Sequence, residues 1–447
     1  MNNMDSNLKR FGSEKNADPT FLSFVETECQ RPTQVRYGVV GFAVALAMVT
    51  YLDRVCISTF AKNIMADLSL SEMQMSYVFS AFTFAYALFE IPTARWADRL
   101  GTRSVLTRIV TWWSCFTIAT AAAMNFAYLL IVRFLFGAGE AGAWPSVTST
   151  FSRWIPAKER GTIQGIFFAG AHLAGGITPL LVTLLLSYLH WRMIFVAFGF
   201  LGFAWAAAWF WWYRDDPSRH PKVNAAELNQ ILAGRKAAES HHVGWSYWRR
   251  LFGHRNTLPL CIMYIGNVYA FYFCITWFPT YLEKQYGVTK AMLGLLAGMP
   301  LMLSVLGDLF GGIVTDKLSR RYGLRIGRSG LGIVAYLLAA SAMLLAATAG
   351  RPLLATAAIS IAVASSMFTL GAAWGSCLDM GGRHAGVVSA TMNTAGNLGG
   401  ILSPILAVLV KDLFHSWNAP LVLMACLFLI GAVGWSLIDP RRQVFDE

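Results

Sequence analysis

The sequence predicts an all-α polytopic membrane protein with twelve transmembrane helices in two pseudo-symmetric six-helix bundles. Three observations carry the prediction. Of 447 residues, 56% are hydrophobic and 13% charged, a composition outside the soluble globular range. The apolar residues gather in runs near 20 residues, the length that crosses a bilayer as a helix. Lys and Arg alternate in abundance from loop to loop: 28 of the 36 fall on one side, 6 on the other, and Arg54 and Arg133 lie inside apolar runs.

Taken in order, the runs place helices at 36–61, 73–96, 104–124, 126–149, 160–187, 191–213, 256–282, 290–315, 328–349, 352–379, 384–410 and 415–438. Residues 1–35 are polar and mixed in charge, without the apolar stretch and small-residue cleavage site of a secretory signal. They read as a disordered cytoplasmic tail. The long polar interruption is 214–255, with a helical stretch near 225–238; it separates a bundle at 36–213 from one at 256–438, and a tail follows at 439–447. The excess of cations on the side of both termini and the linker assigns that side to the cytoplasm; the membrane is expected to be a bacterial inner membrane.

The two halves repeat. Ala94-Arg-Trp-Ala-Asp98-Arg-Leu follows the second helix as Gly312-Ile-Val-Thr-Asp316-Lys-Leu follows the eighth, and Glu90 and Asp308 each precede the loop acid by eight residues. Gly175-Gly176-Ile-Thr-Pro179 is answered by Gly399-Gly400-Ile-Leu-Ser403-Pro404. Offsets of 218 and 224 residues indicate a duplicated six-helix unit.

Several function classes drop out. The net charge of +12 comes from loop cations and not from a basic groove interleaved with aromatics, so nucleic acid is not the expected partner; the bilayer is. Seven scattered cysteines (29, 56, 115, 261, 274, 377 and 426) lack CxxC or Cys/His spacing, which supports neither a metal site nor a disulfide framework. No GxSxG, phosphate loop or paired His/Asp cluster supplies an enzyme's nucleophile. No cofactor is expected.

Chemistry concentrates where charge is costly. Arg133 to Ser146 reads RFLFGAGEAGAWPS. Arg133 and Glu140 stand seven residues apart, two turns along nearly one helix face. Each ionisable group at membrane depth costs about 2.5 to 3.5 kcal/mol on insertion scales, so such groups usually face a bundle interior or a water-filled path. The alternative is a self-satisfied Arg–Glu pair that only fixes packing. The other deep ionisable residues are Asp53, Arg54, Glu90, His172, Asp308 and Asp379.

The chain resembles the major facilitator superfamily over about 36–440. Asp98-Arg99-x-Gly101-x-Arg103 is similar to its cytoplasmic signature, although Ala94 stands where Gly is usual. There the acid caps and pairs across helix ends while Gly101 turns the chain, a gate latch. Tyr51-Leu-Asp53-Arg54, Gly139-Glu140-Ala-Gly142-Ala-Trp144-Pro145, Pro156-Ala-Lys-Glu159-Arg160-Gly161 and Trp211-Trp-Tyr-Arg214-Asp-Asp-Pro217 look like the anion:cation symporter family. That family includes galactonate, glucarate and hexuronate carriers, with sialin and the vesicular glutamate transporters as relatives. The resemblance implies the major facilitator fold, alternating access, a substrate arginine at Arg54 and proton sites at Asp53 and Glu140.

An organic-anion carrier needs a fixed cation, and Arg supplies a planar, bidentate one. Arg54 is the candidate substrate ligand, with an ion pair to an acid as its alternative. Asp53, Glu140 and Arg133 form the candidate proton-coupling set, Arg133 as the tuner of Glu140. Tyr51, Tyr86, Tyr272 and Asn393 are expected to line the substrate site, mainly on resemblance. His172 is either a ligand for substrate hydroxyls or a packing histidine. Glu90 and Asp308 either face the cavity or pair with cytoplasmic arginines as gate latches, together with Asp98, Arg99, Gly101, Arg103 and Asp316. The expected function is proton-coupled symport of a small organic anion, a sugar acid such as a hexuronate, aldonate or aldarate, by a monomer. Alternatives are Na+ in place of H+, an aromatic or other carboxylic acid as substrate, an anion exchanger, and a transporter-like receptor. Helices 7 to 12 hold no Lys or Arg at depth, which favours a monocarboxylate-like headgroup held by the first half.

Overall fold

The structure, a computed structural model, describes residues 31–156, 159–232, 245–381 and 385–444. At 91, 94, 95, 97–99, 160, 161, 245–248 and 385–387 it describes the backbone alone. The first half comprises α1 (Val35–Thr59), α2 (Ala61–Leu68), α3 (Glu72–Leu100), α4 (Thr102–Ala121), α5 (Phe126–Glu140), α6 (Ala143–Trp154), α7 (Arg160–Leu185) and α8 (Trp191–Trp212). A connecting segment carries α9 (Ala225–Leu232) and α10 (Trp245–Gly253). The second half comprises α11 (Thr257–Thr276), α12 (Phe278–Tyr286), α13 (Lys290–Tyr322), α14 (Leu331–Ala347), α15 (Pro352–Phe368), α16 (Leu370–Gly381), α17 (Ala385–Phe414) and α18 (Ala419–Leu437). Ten spans are long and apolar enough to cross a membrane. The more polar α3 and α4, of 29 and 20 residues, complete twelve rods among the described residues.

Four expected helices are interrupted, and the interruptions follow the repeat. The first and seventh break at Phe60 and Trp277, the fourth and tenth at 141–142 and Thr369. The fourth break matters most. α5 ends at Glu140, Ala141 is extended, and Gly142 takes a left-handed φ of 86° with Thr93 packed against it. A side chain there would be strained and would collide with Thr93. Non-helical backbone at membrane depth survives only when buried in protein or lining a cavity, and Ala141 is fully buried.

The halves meet along two seams, α3 against α17 and α7 against α13, while α1 touches α11. Small residues allow the approach. A methyl on Gly298 would lie 1.8 Å from the Gly176 carbonyl oxygen, so the α7–α13 seam closes backbone against backbone. Along α3 and α17, the Ser76 and Ser80 hydroxyls donate to the Pro404 and Ile401 carbonyls at 3.0 and 2.8 Å. At the face remote from the termini, Lys411 and Lys284 both reach Glu72 (2.6 and 3.8 Å), and Lys62 reaches Glu283 (3.6 Å). Nearer the termini, the ion pairs among the described residues stay within one half or bind it to the connecting segment.

The connecting segment is docked. Glu227, fully buried, accepts the Val35 and Arg36 amides at 2.9 and 3.0 Å and the Thr33 hydroxyl at 2.6 Å. A carboxylate there answers both the free N–H groups and the positive end of α1. Asp215 does the same for α4, accepting the Thr102 and Arg103 amides at 2.6 and 3.1 Å and pairing with Arg153 at 3.3 Å. His220 is buried between Trp154 and Trp212. Burial holds its imidazole below the ordinary histidine value, and the Arg214 and Lys222 cations add to the effect. The folded state thus resists the proton that the unfolded chain accepts near pH 6.5. The stabilisation is complete above that pH and is lost as pH falls through the lower folded value. The melting temperature should therefore drop between pH 7.5 and 5, and His220→Phe should drop less over the same range.

Candidate functional site

The deep charged residues converge between α1, α3 and α5. Asp53 and Arg54 are adjacent on α1 and so point to different neighbours. Arg54 crosses to Glu140, its Nε and Nη2 both against Oε1. Its guanidinium lies over Tyr51, Phe82 and Tyr86, 5.6, 5.2 and 4.9 Å from the ring centroids. The side chains of Arg54 and Glu140 are 8% and 1% exposed. An aromatic box desolvates a cation while attracting it, which leaves the carboxylate as the main compensation for its charge.

The alternative reading, a self-satisfied Arg133–Glu140 pair, is not what forms. Seven residues of helix separate the Cα atoms by about 10 Å along the axis, and Arg54 reaches Glu140 instead. Arg133 lies over Phe136 and Phe82 at 4.3 and 5.4 Å, with Nε unbonded. Asp53 is 1% exposed, and neither carboxylate oxygen has a hydrogen-bond partner; Arg133 and Glu140 are the charges that act on it. The break after Glu140 turns this carboxylate out of the α5 helix end and into the space that Arg54 enters.

The remaining wall comes from both halves. Tyr86 and Tyr272 are buried, and the Tyr86 ring centroid is 4.9 Å from the Arg54 guanidinium. Tyr51 packs edge-on to His172 and Phe271, with centroids 5.6 and 6.4 Å away. Glu90 meets the Asn397 amide at 3.5 Å, and Asp308 meets His172 at 2.5 Å. Among the described residues neither Glu90 nor Asp308 pairs with an arginine as a gate latch; each faces a neutral or titratable partner across the seam. Arg328 pairs with Asp379 and Asp316 at 3.1 and 3.4 Å. That contact is where Asp316 sits, at the terminal end of α13. Asn393 is half-buried one turn nearer the terminal face, and its neighbour on the same helix face, Asn397, is the amide brought to an acid.

In the loop after α3, the side chains of Asp98 and Arg99 lie outside the described residues. Gly101 has φ 83° with the Asp215 carboxylate against it, and Arg103 donates to the Phe210 carbonyl at 2.8 and 2.6 Å. The cap on α4 thus comes from Asp215, a residue quoted in the sequence only for resemblance. Phe82, which underlies both arginines, was readable: Phe82, Tyr86 and Glu90 are spaced by four and share one face of α3.

With this geometry in place, comparison with known proteins identifies the fold's kin. The family model described as Major Facilitator Superfamily matches residues 43–404. The chain belongs to the Major Facilitator Superfamily. A relative in Cupriavidus necator, described as a probable sulfoacetate transporter, is 31% identical over 416 residues, covering 92% of this chain and 95% of its own. A Bacillus subtilis protein described as a probable galactarate/D-glucarate transporter is 28% identical, covering 94% and 97%. An Escherichia coli protein described as a probable L-galactonate transporter is 27% identical, covering 89% of each chain. The inward-facing crystal structure of a bacterial homolog of the lysosomal transporter Spinster superposes with a TM-score of 0.73 at 19% identity, covering 90% and 96%; that likeness speaks for the fold. This superfamily member is a multi-pass membrane transporter and not an enzyme. The buried Arg54–Glu140 pair is the feature to explain.

Proposed function

We propose that the protein is a proton-coupled symporter of a small organic anion, a sugar acid of the hexuronate, aldonate or aldarate class. The observation that carries this reading is the buried pairing of Arg54 with Glu140 inside an aromatic box. A substrate carboxylate can take the place of Glu140 at Arg54 and engage the guanidinium with both oxygens, where Glu140 uses Oε1 alone. When substrate takes Arg54, Glu140 is left without its cation in a desolvated place, where an uncompensated charge costs several kcal/mol. Taking up a proton removes that cost, so anion binding and proton binding favour each other. Asp53, with no hydrogen bond of its own, is the second proton site, and Arg133 biases it. The names of the relatives, which include galactarate, glucarate, galactonate and sulfoacetate carriers, support an anion in this cleft.

In this reading Tyr51, Tyr86, Tyr272 and Asn393 line the path of the substrate, and His172 faces its far end. Both termini lie in the cytoplasm, as the cation bias of the loops indicates. The carrier works as a monomer. The test is a thermal-shift screen of the purified protein against hexuronates, aldonates, aldarates and aromatic acids. A ligand at a hundred times its Kd stabilises by about 2.7 kcal/mol. A sugar acid should raise the melting temperature, more so at lower pH. Stabilisation by neutral sugars or apolar cations alone would remove the anion reading.

A further inference from the structure

One face of α13 changes character toward the terminal end of the helix. Leu306, Phe310, Ile313, Lys317 and Arg320 follow one another at intervals of four and three residues, so they share a stripe along the helix. Leu306, Phe310 and Ile313 are 49, 54 and 64% exposed. The opposite side is packed: Gly307 and Gly311 meet Ala364 and Phe368 of α15, and Asp308 meets His172 of α7. Lys317 follows Asp308 by nine residues, about two and a half turns, and so leaves the helix on the side away from the seam. The stripe therefore faces the lipid, apolar at membrane depth and basic at the terminal end.

At that end Ile313, Asp316, Lys317, Arg320 and Arg321 line an open cavity of about 480 Å³, within the size range of small-ligand sites. Elsewhere on the terminal face Arg36, Arg103, Arg153 and Arg328 are each taken up by a carboxylate or a carbonyl. Lys317 and Arg320 have no ion pair or hydrogen bond among the described residues, and Arg321 has only the Tyr322 ring, 5.3 Å away. The acid in the lining, Asp316, is already compensated by Arg328 at 3.4 Å. The cavity thus presents three uncompensated positive charges beside an apolar surface.

We propose that this cavity binds the headgroup of an anionic phospholipid, its phosphodiester on Lys317, Arg320 and Arg321 and its acyl chains along Ile313, Phe310 and Leu306. Arginine meets a phosphate with two parallel N–H donors, and lysine adds a mobile point charge. A zwitterionic headgroup carries its own cation, which the three basic residues repel. The apolar stripe favours a lipid over a free phosphate, because it gives the chains a surface to lie on once the headgroup docks. The site lies across α13 from the seam and the charged residues of the candidate site, and holds whatever solute the carrier moves.

The test is native mass spectrometry of the full-length purified protein in detergent micelles doped with phosphatidylglycerol and phosphatidylcholine of the same acyl chains. The wild type should retain phosphatidylglycerol in preference, by about ten- to a hundredfold, since each basic residue near an anionic headgroup is worth about fivefold. Lys317→Gln/Arg320→Gln/Arg321→Gln should bring the preference close to unity. Arg320→Gln alone, which keeps two of the cations should the triple variant fail to fold, should lower it about fivefold. Removing three exposed cations elsewhere on the same face, in Arg219→Gln/Lys222→Gln/Arg442→Gln, should leave it unchanged, and excess inorganic phosphate should not displace the lipid. Equal retention of both lipids by the wild type overturns the proposal, as does an unchanged preference in the α13 variants. An equal loss in the two triple variants reduces the effect to net charge, and displacement by inorganic phosphate makes the cavity a free-phosphate site; either result also overturns it.

Discussion

Arg54→Lys is expected to reduce sugar-acid uptake by about two orders of magnitude while the unliganded protein keeps its melting temperature within a few degrees. Truncating one partner of a buried hydrogen-bonded charge pair costs roughly 2 to 5 kcal/mol of binding, and lysine lacks the planar fork that a carboxylate engages at two points. Lysine still carries the charge that compensates Glu140, so the empty protein is spared the larger cost of an orphaned buried carboxylate. Arg54→Ala lacks that protection and should lose stability as well as transport, by about 3 to 5 kcal/mol. Uptake into proteoliposomes, read beside the melting curve, separates the two effects. Normal uptake in Arg54→Lys would show that the guanidinium is a structural ion pair and the substrate headgroup binds elsewhere.

Glu140→Gln should abolish accumulation driven by a pH gradient, by at least about tenfold, while exchange of labelled for unlabelled substrate continues. The amide mimics the protonated carboxyl in size and neutrality, so the substrate-loaded form reorients as before. The empty form is altered instead: Arg54 lacks the carboxylate that competes with substrate, so substrate binds more tightly. Kd should accordingly fall, and its dependence on pH should flatten. The readouts are counterflow and gradient-driven uptake in the same vesicles. If gradient-driven accumulation persists unchanged beside normal counterflow, Glu140 is not a coupling site, and Asp53 must carry the proton alone.

Both predictions turn on one contact, and that contact was not legible in advance. The residues themselves were: ionisable side chains in apolar runs are conspicuous because each costs energy that nothing nearby in the sequence offsets. Asp53, Arg54, Arg133 and Glu140 were marked on that ground, and the structure brings all four to one place. The pairing was not legible. Spacing along a helix shows which residues share a face, which set Arg133 beside Glu140 without saying which acid each arginine meets. The helix break at 141–142 and the approach of α1 assign Glu140 to Arg54. Likewise, Asp308 and His172 were each noticed alone, 136 residues apart, and no periodicity connects them. The docking of Glu227 and Asp215 onto helix ends was equally hidden, since a cap from a distant segment leaves no local pattern.

Unaided, the sequence determined the class of the protein, the number and order of its spans, the duplication, and the short list of charged residues that need an explanation. These are local or additive properties: hydropathy summed over about 20 residues, cations counted by loop, motifs compared at a fixed offset. Only the tertiary structure decided that Arg54 meets Glu140 and that His172 is held across the seam by Asp308. Those depend on how closely helices approach and how they are rotated. Here backbone contact at Gly176 and Gly298 and the left-handed turn at Gly142 set both, through packing between segments far apart in the chain.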